Sequence, residues 1–499
     1  MTLYGKRKNW KSAGFILDLY WKNAWKSVRN MLENIGKMQN MVYHVTMLYR
    51  KTETVLNRFK SGNKALLVTG ARQVGKSYLI REFGQNNYES YIEINFIKNE
   101  TALRTLSNIK DTDDLFIRLS ALADKPLIRG KTLFFFDEVQ EIPDLITHIK
   151  FLVEDGRYRY ILSGSMLGVE LKGIRSVPVG YMDTYDMYPL DFEEFMIANN
   201  VQPEVIKYLE ECYKTRKPVD DTINERFLKL FNLYLIIGGM PEAVQKYVDT
   251  HNLREVQDIQ SQIIRQYKND ISKYDKEDKL YISDVFEKIP AELNSKNKRF
   301  ILKELNQKGR FEKYRNTFLW LKNAGVALPV HIAEDPKAPL ELSEKTNLFK
   351  LFLNDVGLLA SMYEKDGIQL KILNGELNIN SGAIFENAAA QELKAHNFPL
   401  FYYNSKKNGE VDFLIELEGK VLPLEIKSGK DYMRHNALSN LLSNNEFNIK
   451  EAFVLTHCNV RIGGPITYLP ICMLSFLQRP AVPENLIYDM DMSDITVPD

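Results

Sequence analysis

The most informative residues of this 499-residue chain form a segment with the spacing G-x-x-x-x-G-K-S. The segment comprises Gly70, Ala71, Arg72, Gln73, Val74, Gly75, Lys76 and Ser77, and Tyr78 follows it. Glycines let the backbone curl so that successive N–H groups point toward a bound phosphate. Lys76 supplies a positive charge for the β- and γ-phosphate oxygens, and Ser77 supplies a hydroxyl for Mg²⁺. The spacing therefore predicts a site for a nucleoside triphosphate.

The residues on either side of this segment place it between a strand and a helix. Residues 65–69 have the sequence ALLVT and predict a buried strand, and residues 77–83 predict a helix. The N-terminus of such a helix faces the bound anion. This context separates the segment from a glycine-containing surface turn, which is the alternative interpretation.

A second motif places two adjacent carboxylates at the end of an apolar run. Residues 131–136 have the sequence KTLFFF, and Asp137 and Glu138 follow them. The run predicts a central parallel strand, and open α/β sheets bind ligands at the carboxyl ends of such strands. We expect Asp137 to orient a magnesium-bound water and Glu138 to act as the general base. The pair favours hydrolysis over nucleotide storage, and an acidic turn after the strand is the alternative.

A third apolar strand is predicted at residues 158–163, and Gly164 and Ser165 follow it. A polar side chain at the end of this strand is placed to sense the γ-phosphate. Ser163 and Ser165 are both candidates, and we assign Ser163 to the catalytic set. A turn that merely ends the strand is the alternative.

The last third of the chain contains a second chemical pattern. Residues 411–416 and 421–427 predict two strands joined by a short turn. In an antiparallel hairpin centred on that turn, Asp412 lies opposite Glu425. Side chains alternate along a strand, so these carboxylates share one face while the other face is entirely apolar.

Directly opposed like charges destabilise a sheet, so this pair predicts a cation between the carboxylates. A divalent metal with oxygen ligands meets that need, and Lys427, opposite Glu410, is then placed to stabilise charge or orient water. Glu386 on a preceding helix completes the predicted metal site, with Gln391 or Glu392 nearby. The arrangement D…E-x-K is that of the PD-(D/E)xK nucleases. A degenerate nuclease fold that only binds DNA or protein is the alternative.

The composition is that of an ordinary soluble protein. Hydrophobic residues make up 44% of the chain, charged residues 26%, and the net charge is +1. No run of about eighteen uncharged apolar residues occurs, which argues against a membrane span, and no membrane partner is expected. The three cysteines are far apart, which favours reduced thiols in a cytosol over disulfides or a zinc site. Residues 1–46 are basic and rich in tryptophan, and we expect them to be an over-long gene start rather than an arm for nucleic acid or membrane.

Residues 281–332 predict a winged helix-turn-helix. The predicted helices lie near Ile282–Leu293, Phe300–Leu305 and Glu312–Ala324, and a β-ribbon begins at Val326. Residues 296–315 contain eight basic and two acidic side chains. Such a stripe is typical of contact with a phosphate backbone, and a solvated helical face that packs on the neighbouring domain is the alternative.

Together these segments resemble prokaryotic AAA-superfamily P-loop ATPases (AAA_14 type) that carry a C-terminal "domain of unknown function 4143". The matching segments are residues 69–77, 136–140, 162–165, 188–195, 238–241, 385–387, 410–413 and 425–429. The resemblance implies an α/β chain with a P-loop parallel-sheet AAA-type ATPase domain, a winged helix and a restriction-endonuclease-like C-terminal domain. The expected boundaries are 47–270, 271–335 and 336–480, with a tail at 481–499. Helices at 185–270, broken at Gly238–Glu242, correspond to the family's lid over the nucleotide.

One departure from the family concerns arginine fingers. Many members place a basic residue after the glycine that precedes Tyr188, whereas here Tyr181 follows Gly180. The candidate fingers are Arg157, Arg159 and Arg175. A finger that acts in trans requires a homo-oligomer.

The leading hypothesis is an ATP- and Mg²⁺-dependent hydrolase that acts on DNA through its winged helix and nuclease-like domain. ATP is favoured over GTP because the chain lacks a guanine-reading N/T-K-x-D segment. The rival hypothesis is a regulatory switch that binds protein partners and whose nuclease-like domain is inactive.

Overall fold

The computed structural model describes residues 48–164, 180–271, 276–295, 311–363, 368–376 and 382–480. The predictions for residues 1–46, Ser165, Arg175, the helix at 300–305, the side chains of the basic stripe at 296–315 and the tail at 481–499 lie outside what is described. The described residues from Arg50 onward belong to a single compact unit.

A five-stranded parallel sheet forms the centre of the first domain. Its strands are β1 (Ala65–Thr69), β2 (Ser90–Asn95), β3 (Thr132–Asp137), β4 (Arg159–Ser163) and β5 (Met182–Asp186). Their order is β2-β3-β4-β1-β5, and every pairing is parallel. The three strands predicted from apolar runs are confirmed, and β1, β3 and β4 are adjacent. Their carboxyl ends therefore meet at one edge of the sheet.

Helices cover this sheet on both faces, as its apolar strands require. They are α1 (Thr52–Ser61), α2 (Lys76–Asn87), α3 (Glu100–Thr105), α4 (Thr112–Leu122) and α5 (Pro143–Asp155). Phe134 and Phe136 are fully buried and stack with Tyr160 of the next strand. This aromatic layer fixes β3 against β4.

The predicted helical region after β5 is confirmed. It contains α6 (Phe192–Ala198), α7 (Pro203–Thr215), α8 (Asp221–Ile237), α9 (Pro241–Thr250) and α10 (Leu253–Ile271). The break between α8 and α9 falls at Gly238, whose φ of 74° is in the left-handed region. A Cβ there would lie 2.2 Å from an oxygen of Asp355, so only glycine fits.

A mixed eight-stranded sheet forms the C-terminal domain. Its strands are β6 (Ala327–Ala333), β7 (Glu344–Leu353), β8 (Phe401–Ser405), β9 (Gly409–Leu417), β10 (Lys420–Ile426), β11 (Ala452–Thr456), β12 (Arg461–Gly463) and β13 (Ile466–Pro470). Their order is β12-β13-β11-β10-β9-β8-β6-β7. The accompanying helices are α13 (Val356–Met362), α14 (Ile368–Leu373), α15 (Gly382–Ala395) and α16 (Asn436–Ser443).

The strand predicted as the ribbon of a winged helix belongs to this C-terminal sheet. The first and third predicted helices are present as α11 (Lys276–Asn294) and α12 (Phe311–Asn323), and they contact each other. However, β6 pairs with β7 and with β8, which begins about seventy residues later. The expected boundary at 335/336 therefore divides a continuous sheet. Sequence periodicity predicted the strand but not its partner, because the partner is distant in the chain.

Among the described helices, none combines the length and the hydrophobicity needed to cross a lipid bilayer.

Candidate functional site

The segment at residues 70–77 forms a loop between β1 and α2. Gly70 has a φ of 141° and Gly75 a φ of 95°, and Gly75 immediately precedes the helix. A Cβ on Gly70 would lie 2.2 Å from the carbonyl oxygen of Met187. Gln73 also has a positive φ of 67°. The loop therefore has the tight curvature that the sequence predicted, and Gly70 cannot carry a side chain there.

Lys76 lies across this loop. Its Nζ donates to the carbonyl oxygens of Gly70 and Ala71, both at 2.8 Å. Burial lowers the pKa of Lys76 to about 8, against the opposing attraction of Glu138 and Asp137. The ammonium is thus held where an anion at the helix N-terminus would meet it. Tyr78, the third residue of the helix, is 53% exposed.

Asp137 is the centre of a polar cluster at the carboxyl edge of the sheet. Ser77 Oγ donates to Asp137 Oδ1 at 3.0 Å, and Ser163 Oγ donates to the same oxygen. Asn95 Nδ2 donates to Asp137 Oδ2 at 2.7 Å. Three predicted residues therefore meet, and Asn95 joins them. Sequence reasoning missed Asn95, although a polar residue ending the β2 strand beside β3 was the available signal.

Glu138 follows with a left-handed backbone, φ 61°, which is uncommon for a residue that is not glycine. Its carboxylate accepts a hydrogen bond from Gln140 Nε2 at 2.5 Å. Gln140 in turn lies against Gly164, where a Cβ would be 2.7 Å from Gln140 Oε1. The left-handed backbone of Glu138 and the hydrogen bond from Gln140 therefore orient its carboxylate, and Gln140 itself lies against Gly164.

The donor set at this edge is suited to Mg²⁺. Ser77, Ser163 and Asp137 present hydroxyl and carboxylate oxygens, which are the ligands that this hard cation takes. Asp137 is 5% exposed, yet its neighbours in the cluster are all neutral. Lys76 attracts Asp137 but, among the described residues, forms no ion pair with it, so a cation bound directly to this buried carboxylate would stabilise it further. The residues present therefore fit the metal that the sequence predicted.

Contacts outside the loop hold it against the helical region. Arg72 Nη1 bonds both carboxylate oxygens of Asp270 at 2.5 and 2.7 Å, and Gln73 Nε2 bonds Gln266 Oε1 at 2.8 Å. Both partners are on α10. The loop is thus linked directly to the helix that leads toward the C-terminal domain.

Arg50, which sequence reasoning did not assign to the site, holds the loop by a hydrogen bond to its backbone. Its guanidinium donates to the Val74 carbonyl oxygen at 2.9 Å and to the Tyr188 carbonyl oxygen at 2.6 Å. It also pairs with Glu194 at 3.2 Å, and it is 6% exposed. An arginine two residues before α1 gave no signal beyond its charge.

Two candidate arginine fingers lie far from this edge. Arg159 begins β4, at the opposite end of the strand from Ser163, and it donates to the Phe59 carbonyl oxygen at 2.5 Å. Arg157 pairs with Asp155 at 2.5 Å and lies over the Phe116 ring. Both guanidinium groups are held by structural contacts within the domain.

The predicted C-terminal hairpin forms in the predicted register. β9 and β10 are antiparallel, with Phe413 opposite Leu424, so the next pair in the same register is Asp412 and Glu425. Asp412 Oδ2 accepts a hydrogen bond from the Ile426 amide at 2.9 Å. Both carboxylates are buried, at 8% and 6% exposure.

A lysine that sequence reasoning missed occupies the centre of this acidic cluster. Lys350 of β7 is fully buried, and its Nζ lies 2.8 Å from Glu410, 3.8 Å from Glu386 and 3.9 Å from Asp412. Burial alone would lower the pKa of Lys350, but the three carboxylates outweigh it and raise the pKa. Lys350 is thus a fixed cation within the protein.

Glu425 differs from its neighbours. Burial and then the negative charge of Asp412 raise the pKa of Glu425 to about 8, although Lys427 acts in the opposite direction. Lys427 Nζ donates to Glu425 Oε1 at 2.6 Å. The residue predicted to assist catalysis is therefore paired with a predicted metal ligand.

The structure brings the predicted metal ligands Glu386 and Asp412 together around Lys350, and Glu425 lies opposite Asp412 in the hairpin register. Across the described ranges, no three acidic, histidine or cysteine side chains are arranged to hold a metal ion. The physical reason is Lys350, whose ammonium supplies the positive charge that the opposed carboxylates require. The signal was available, because Lys350 interrupts the apolar residues 348–353, LFKLFL.

Gln391 and Glu392 of α15 contact the ATPase domain instead of the acidic cluster. Glu392 Oε1 accepts from the Phe192 amide at 2.7 Å and from Tyr234 Oη at 3.1 Å. Gln391 Nε2 donates to Tyr234 Oη at 2.9 Å. Burial raises the pKa of Glu392 to about 7, and the charge of Asp191 adds to this shift. These side chains join the two domains.

A parallel sheet with this loop and this acidic strand end defines a P-loop ATPase domain. A sequence model of the AAA domain (AAA_14) matches residues 62–196, and one of a domain of unknown function, DUF4143, matches residues 381–473. The chain therefore carries both parts of the predicted resemblance. A further domain of unknown function, DUF8612, matches residues 228–369 and includes β6 and β7.

Solved structures with detectable likeness include a Walker-type ATPase of Pyrococcus abyssi, with 14% identity, coverage of 64% of this chain and 96% of that chain, and a TM-score of 0.40. The ORC1 protein of Aeropyrum pernix in complex with DNA has 11% identity, 64% and 94% coverage, and a TM-score of 0.28. A signal transduction ATPase with a tetratricopeptide repeat sensor from Pyrococcus horikoshii has 12% identity, 70% and 49% coverage, and a TM-score of 0.26. The search of curated proteins gave no match.

Proposed function

We propose that this chain is a Mg²⁺-dependent ATPase and that its C-terminal domain is not an active nuclease. The observation that supports the first part is the meeting of Ser77, Asp137 and Ser163 beside the phosphate loop, with Ser77 Oγ 3.0 Å from Asp137. The AAA domain match supports the same class. ATP rather than GTP is proposed because the chain lacks a guanine-reading segment.

The residues of the site divide the work of hydrolysis. The loop N–H groups and Lys76 bind the phosphates, and Ser77 and Asp137 are the residues that would hold Mg²⁺. The ion supplies charge neutralisation for the phosphate oxygens. Glu138 accepts the proton of the attacking water at its carboxylate, which Gln140 orients. Ser163 and Asn95 fix the Asp137 side chain, and Ser163 is placed to sense the γ-phosphate.

The test separates binding from hydrolysis with two variants. Glu138→Gln should keep ATP affinity and lose hydrolysis by roughly 10²–10⁴-fold, as expected for removal of a general base. Lys76→Ala should lose ATP binding as well. Glu141→Gln is the matched control, because this nearby glutamate is exposed and outside the cluster. Hydrolysis by Lys76→Ala at the parent rate would overturn the proposal, and GTP turnover equal to ATP turnover would overturn the choice of nucleotide.

The second part of the proposal rests on Lys350. Active metal-dependent nucleases need the acidic cluster for cations, whereas here an internal ammonium lies 2.8 Å from Glu410 and within 4 Å of Glu386 and Asp412. We expect no cleavage of single- or double-stranded DNA with Mg²⁺ or Mn²⁺. Cleavage that the parent shows and Asp412→Ala loses would contradict this and restore the nuclease hypothesis.

Association with DNA is proposed from the charge of residues 296–315. If the stripe contacts several phosphates, DNA affinity falls steeply between low and moderate salt. Affinity that is independent of salt, or stimulation of the ATPase by protein partners alone, would favour the regulatory switch.

A further inference from the structure

A carboxylate of the C-terminal domain holds the turn between α8 and α9. Asp355 immediately precedes α13 and is fully buried, and its Oδ2 accepts a hydrogen bond from the Gly239 amide at 2.6 Å. Its other oxygen, Oδ1, accepts from the Leu358 amide at 2.9 Å and thereby caps α13. One side chain therefore joins two backbone segments, and the Gly239 bond spans 116 residues of the chain.

The backbones of the two segments are also in direct contact. A Cβ on Gly238 would lie 2.2 Å from Asp355 Oδ1, and a Cβ on Gly357 would lie 2.4 Å from the Ile237 carbonyl oxygen. A side chain at either glycine would therefore push the segments apart. The start of α13 thus packs directly on the end of α8.

A second buried side chain fixes the other side of the turn. Gln260 of α10 is fully buried, and its Nε2 donates to the carbonyl oxygens of Ile236 and Ile237 at 2.8 and 2.9 Å. The last carbonyl groups of a helix lack partners within the helix. Gln260 supplies that partner at the end of α8, and Asp355 binds the amide that follows. The turn is therefore held through both its carbonyl groups and its amides.

The turn leads directly to the phosphate loop. Pro241 is the first residue of α9, and a Cβ on Gly75 would lie 3.6 Å from Pro241 Cγ, which is ordinary van der Waals contact. Gly75 is the last residue before α2, whose N-terminus faces the phosphates in the proposed site. The position of Pro241 therefore affects the part of the loop closest to that helix.

A second path joins the turn to the start of the loop. The Leu190 amide donates to the Gly239 carbonyl oxygen at 2.7 Å, and a Cβ on Gly239 would lie 2.0 Å from the Leu190 carbonyl oxygen. Three residues earlier, Met187 is equally close to the loop, because a Cβ on Gly70 would lie 2.2 Å from the Met187 carbonyl oxygen. The turn therefore also contacts Gly70, through residues 187–190.

Asp355 is ionised at mildly alkaline pH. Burial raises the pKa of Asp355 to about 6, and the backbone amides that it binds, first among them Gly239, act in the opposite direction. At pH 8 the side chain is therefore a carboxylate with two acceptor oxygens. Hydrogen bonds to an ionised acceptor are roughly twice as strong as those between neutral groups, so the Gly239 bond is a strong one.

We propose that Asp355 is a positioning residue for ATP binding, whose bond to Gly239 holds the turn, and with it Pro241, against the phosphate loop. The inference rests on the proposed ATPase function and adds its regulation, because the residue that sets the affinity belongs to the C-terminal domain. A change that moves α13 away from α8 therefore weakens ATP binding, and bound ATP in turn stabilises the contact between α13 and α8.

The central test is Asp355→Asn in the full chain. Asparagine caps a helix as well as aspartate does, so its oxygen keeps the Leu358 amide while its NH₂ group faces the Gly239 amide, donor against donor. At pH 8 we expect the Kd for ATP, measured in the Glu138→Gln background, and the KM of the hydrolysing enzyme to rise about fivefold, the lower end of typical coupling between sites. The kcat should stay within about twofold of the parent value, because only binding is lost.

Asn459→Ala is the matched control, because it removes a similar contact near the opposite end of α8. Asn459 of the C-terminal domain bonds the amide and the carbonyl oxygen of Val219, shortly before α8, at 2.9 and 2.7 Å. This variant should keep the Kd and the KM of the parent. An equal rise of Kd in Asn459→Ala would indicate a general effect of domain contacts and overturn the role of Asp355.

A second variant keeps the inference testable if Asp355→Asn does not fold. Pro241→Ala removes the ring beside Gly75 at a half-buried position, and it should weaken ATP binding to a similar extent. The double variant should bind ATP no more weakly than the weaker single variant, because both changes act through one contact. Parent affinity in Pro241→Ala that melts as a folded protein, or fully additive effects, would overturn the inference.

The outcomes also separate this inference from the proposed function. A parent that binds no ATP would overturn both. If the parent binds and hydrolyses ATP and folded Asp355→Asn has the same Kd, or loses only kcat, the inference alone is wrong and the ATPase function stands.

Discussion

The two acidic centres of this chain obtain their positive charge in different ways. Beside the phosphate loop, Asp137 is surrounded by the neutral donors Ser77, Ser163 and Asn95. In the C-terminal sheet, Asp412 shares its surroundings with Lys350, which is fully buried. Clustered carboxylates alone therefore do not define a metal site. Whether they can bind a metal ion depends on whether the protein itself supplies the compensating positive charge. Asp137 is bonded by neutral donors and, among the described residues, forms no ion pair with Lys76, so its carboxylate is available to an external cation; Lys350, in contrast, lies 3.9 Å from Asp412.

The largest effect is expected from removing the Lys350 ammonium, because the acidic cluster then loses its internal positive charge. Lys350→Met leaves buried carboxylates without an opposite charge, and breaking such a cluster costs about 3–5 kcal/mol. The free energy of unfolding from denaturant titration measures the loss. Lys345→Met, an exposed lysine on the same strand, is the control. Combining Lys350→Met with Glu386→Gln should restore part of the stability, and added Mn²⁺ should stabilise Lys350→Met more than the parent. A stable single variant would show that Lys350 does not compensate the cluster.

The next prediction concerns Asp137, the acidic residue beside the phosphate loop. Asp137→Asn removes the charge proposed to attract Mg²⁺, and we expect hydrolysis to fall by roughly 10²–10³-fold. Asp144→Asn provides the control, since this aspartate is exposed in the first turn of α5. The measurement is the ATPase rate across a Mg²⁺ titration. A rate equal to that of the parent at every Mg²⁺ concentration would rule out the role given to Asp137.

The C-terminal centre should also affect stability in a pH-dependent way. Glu425 has a folded-state pKa of about 8, above its ordinary value of 4.5. Between these values the folded chain keeps the proton while the unfolded chain loses it, so this group's contribution to stability falls as pH rises, by up to about 1.4 kcal/mol per pH unit. Glu425→Gln removes this dependence.

Unfolding titrations of the parent and Glu425→Gln at pH 5 and pH 8 measure the effect. The stability of the variant relative to the parent should increase with pH. Glu418→Gln, in the exposed turn of the same hairpin, should show no such trend. Parallel pH profiles for the parent and Glu425→Gln would contradict the raised pKa.

The smallest expected effect concerns the contact between the loop and the C-terminal domain. Gly325→Ala puts a Cβ 2.9 Å from the Ala71 amide nitrogen, whereas Gly375→Ala, at a similar φ of +67°, meets nothing within 4 Å. Both variants carry the same backbone strain, so their difference isolates the contact. We expect several-fold weaker ATP binding by Gly325→Ala alone, measured by calorimetry. Equal ATP affinities of the two variants would mean that the contact between Gly325 and the phosphate loop does not affect ATP binding.

Local patterns predicted the parts of the molecule that depend on neighbouring residues. The phosphate loop, the strand ending in Asp137 and the register of the β9–β10 hairpin were all predicted correctly, because spacing and alternation determine them. The partners of β6 and the position of Lys350 were missed. Both depend on pairings between distant segments, where a strand pattern does not specify which strand it joins.

The nucleotide edge shows the same division. Asp137 and Ser163 were identified from their own strands, but Arg50 acts through carbonyl oxygens of residues 74 and 188. Carbonyl contacts carry no sequence signal, because every residue has a carbonyl group. The catalytic side chains could therefore be predicted from the sequence, whereas the contacts by which Arg50 holds the loop were seen only in the structure.

The hydrogen bond between Glu392 of α15 and the Phe192 amide affects when the ATPase domain can complete its folding during synthesis. The amide of Phe192, at the start of α6, is bonded by Glu392, two hundred residues later in the chain. Chains emerge from the ribosome at about 5–20 residues per second, so the ATPase domain waits roughly 10–40 seconds for this partner. Until then, the backbone near residue 192 lacks a native bond. A nascent chain that stops before residue 392 therefore cannot form this bond.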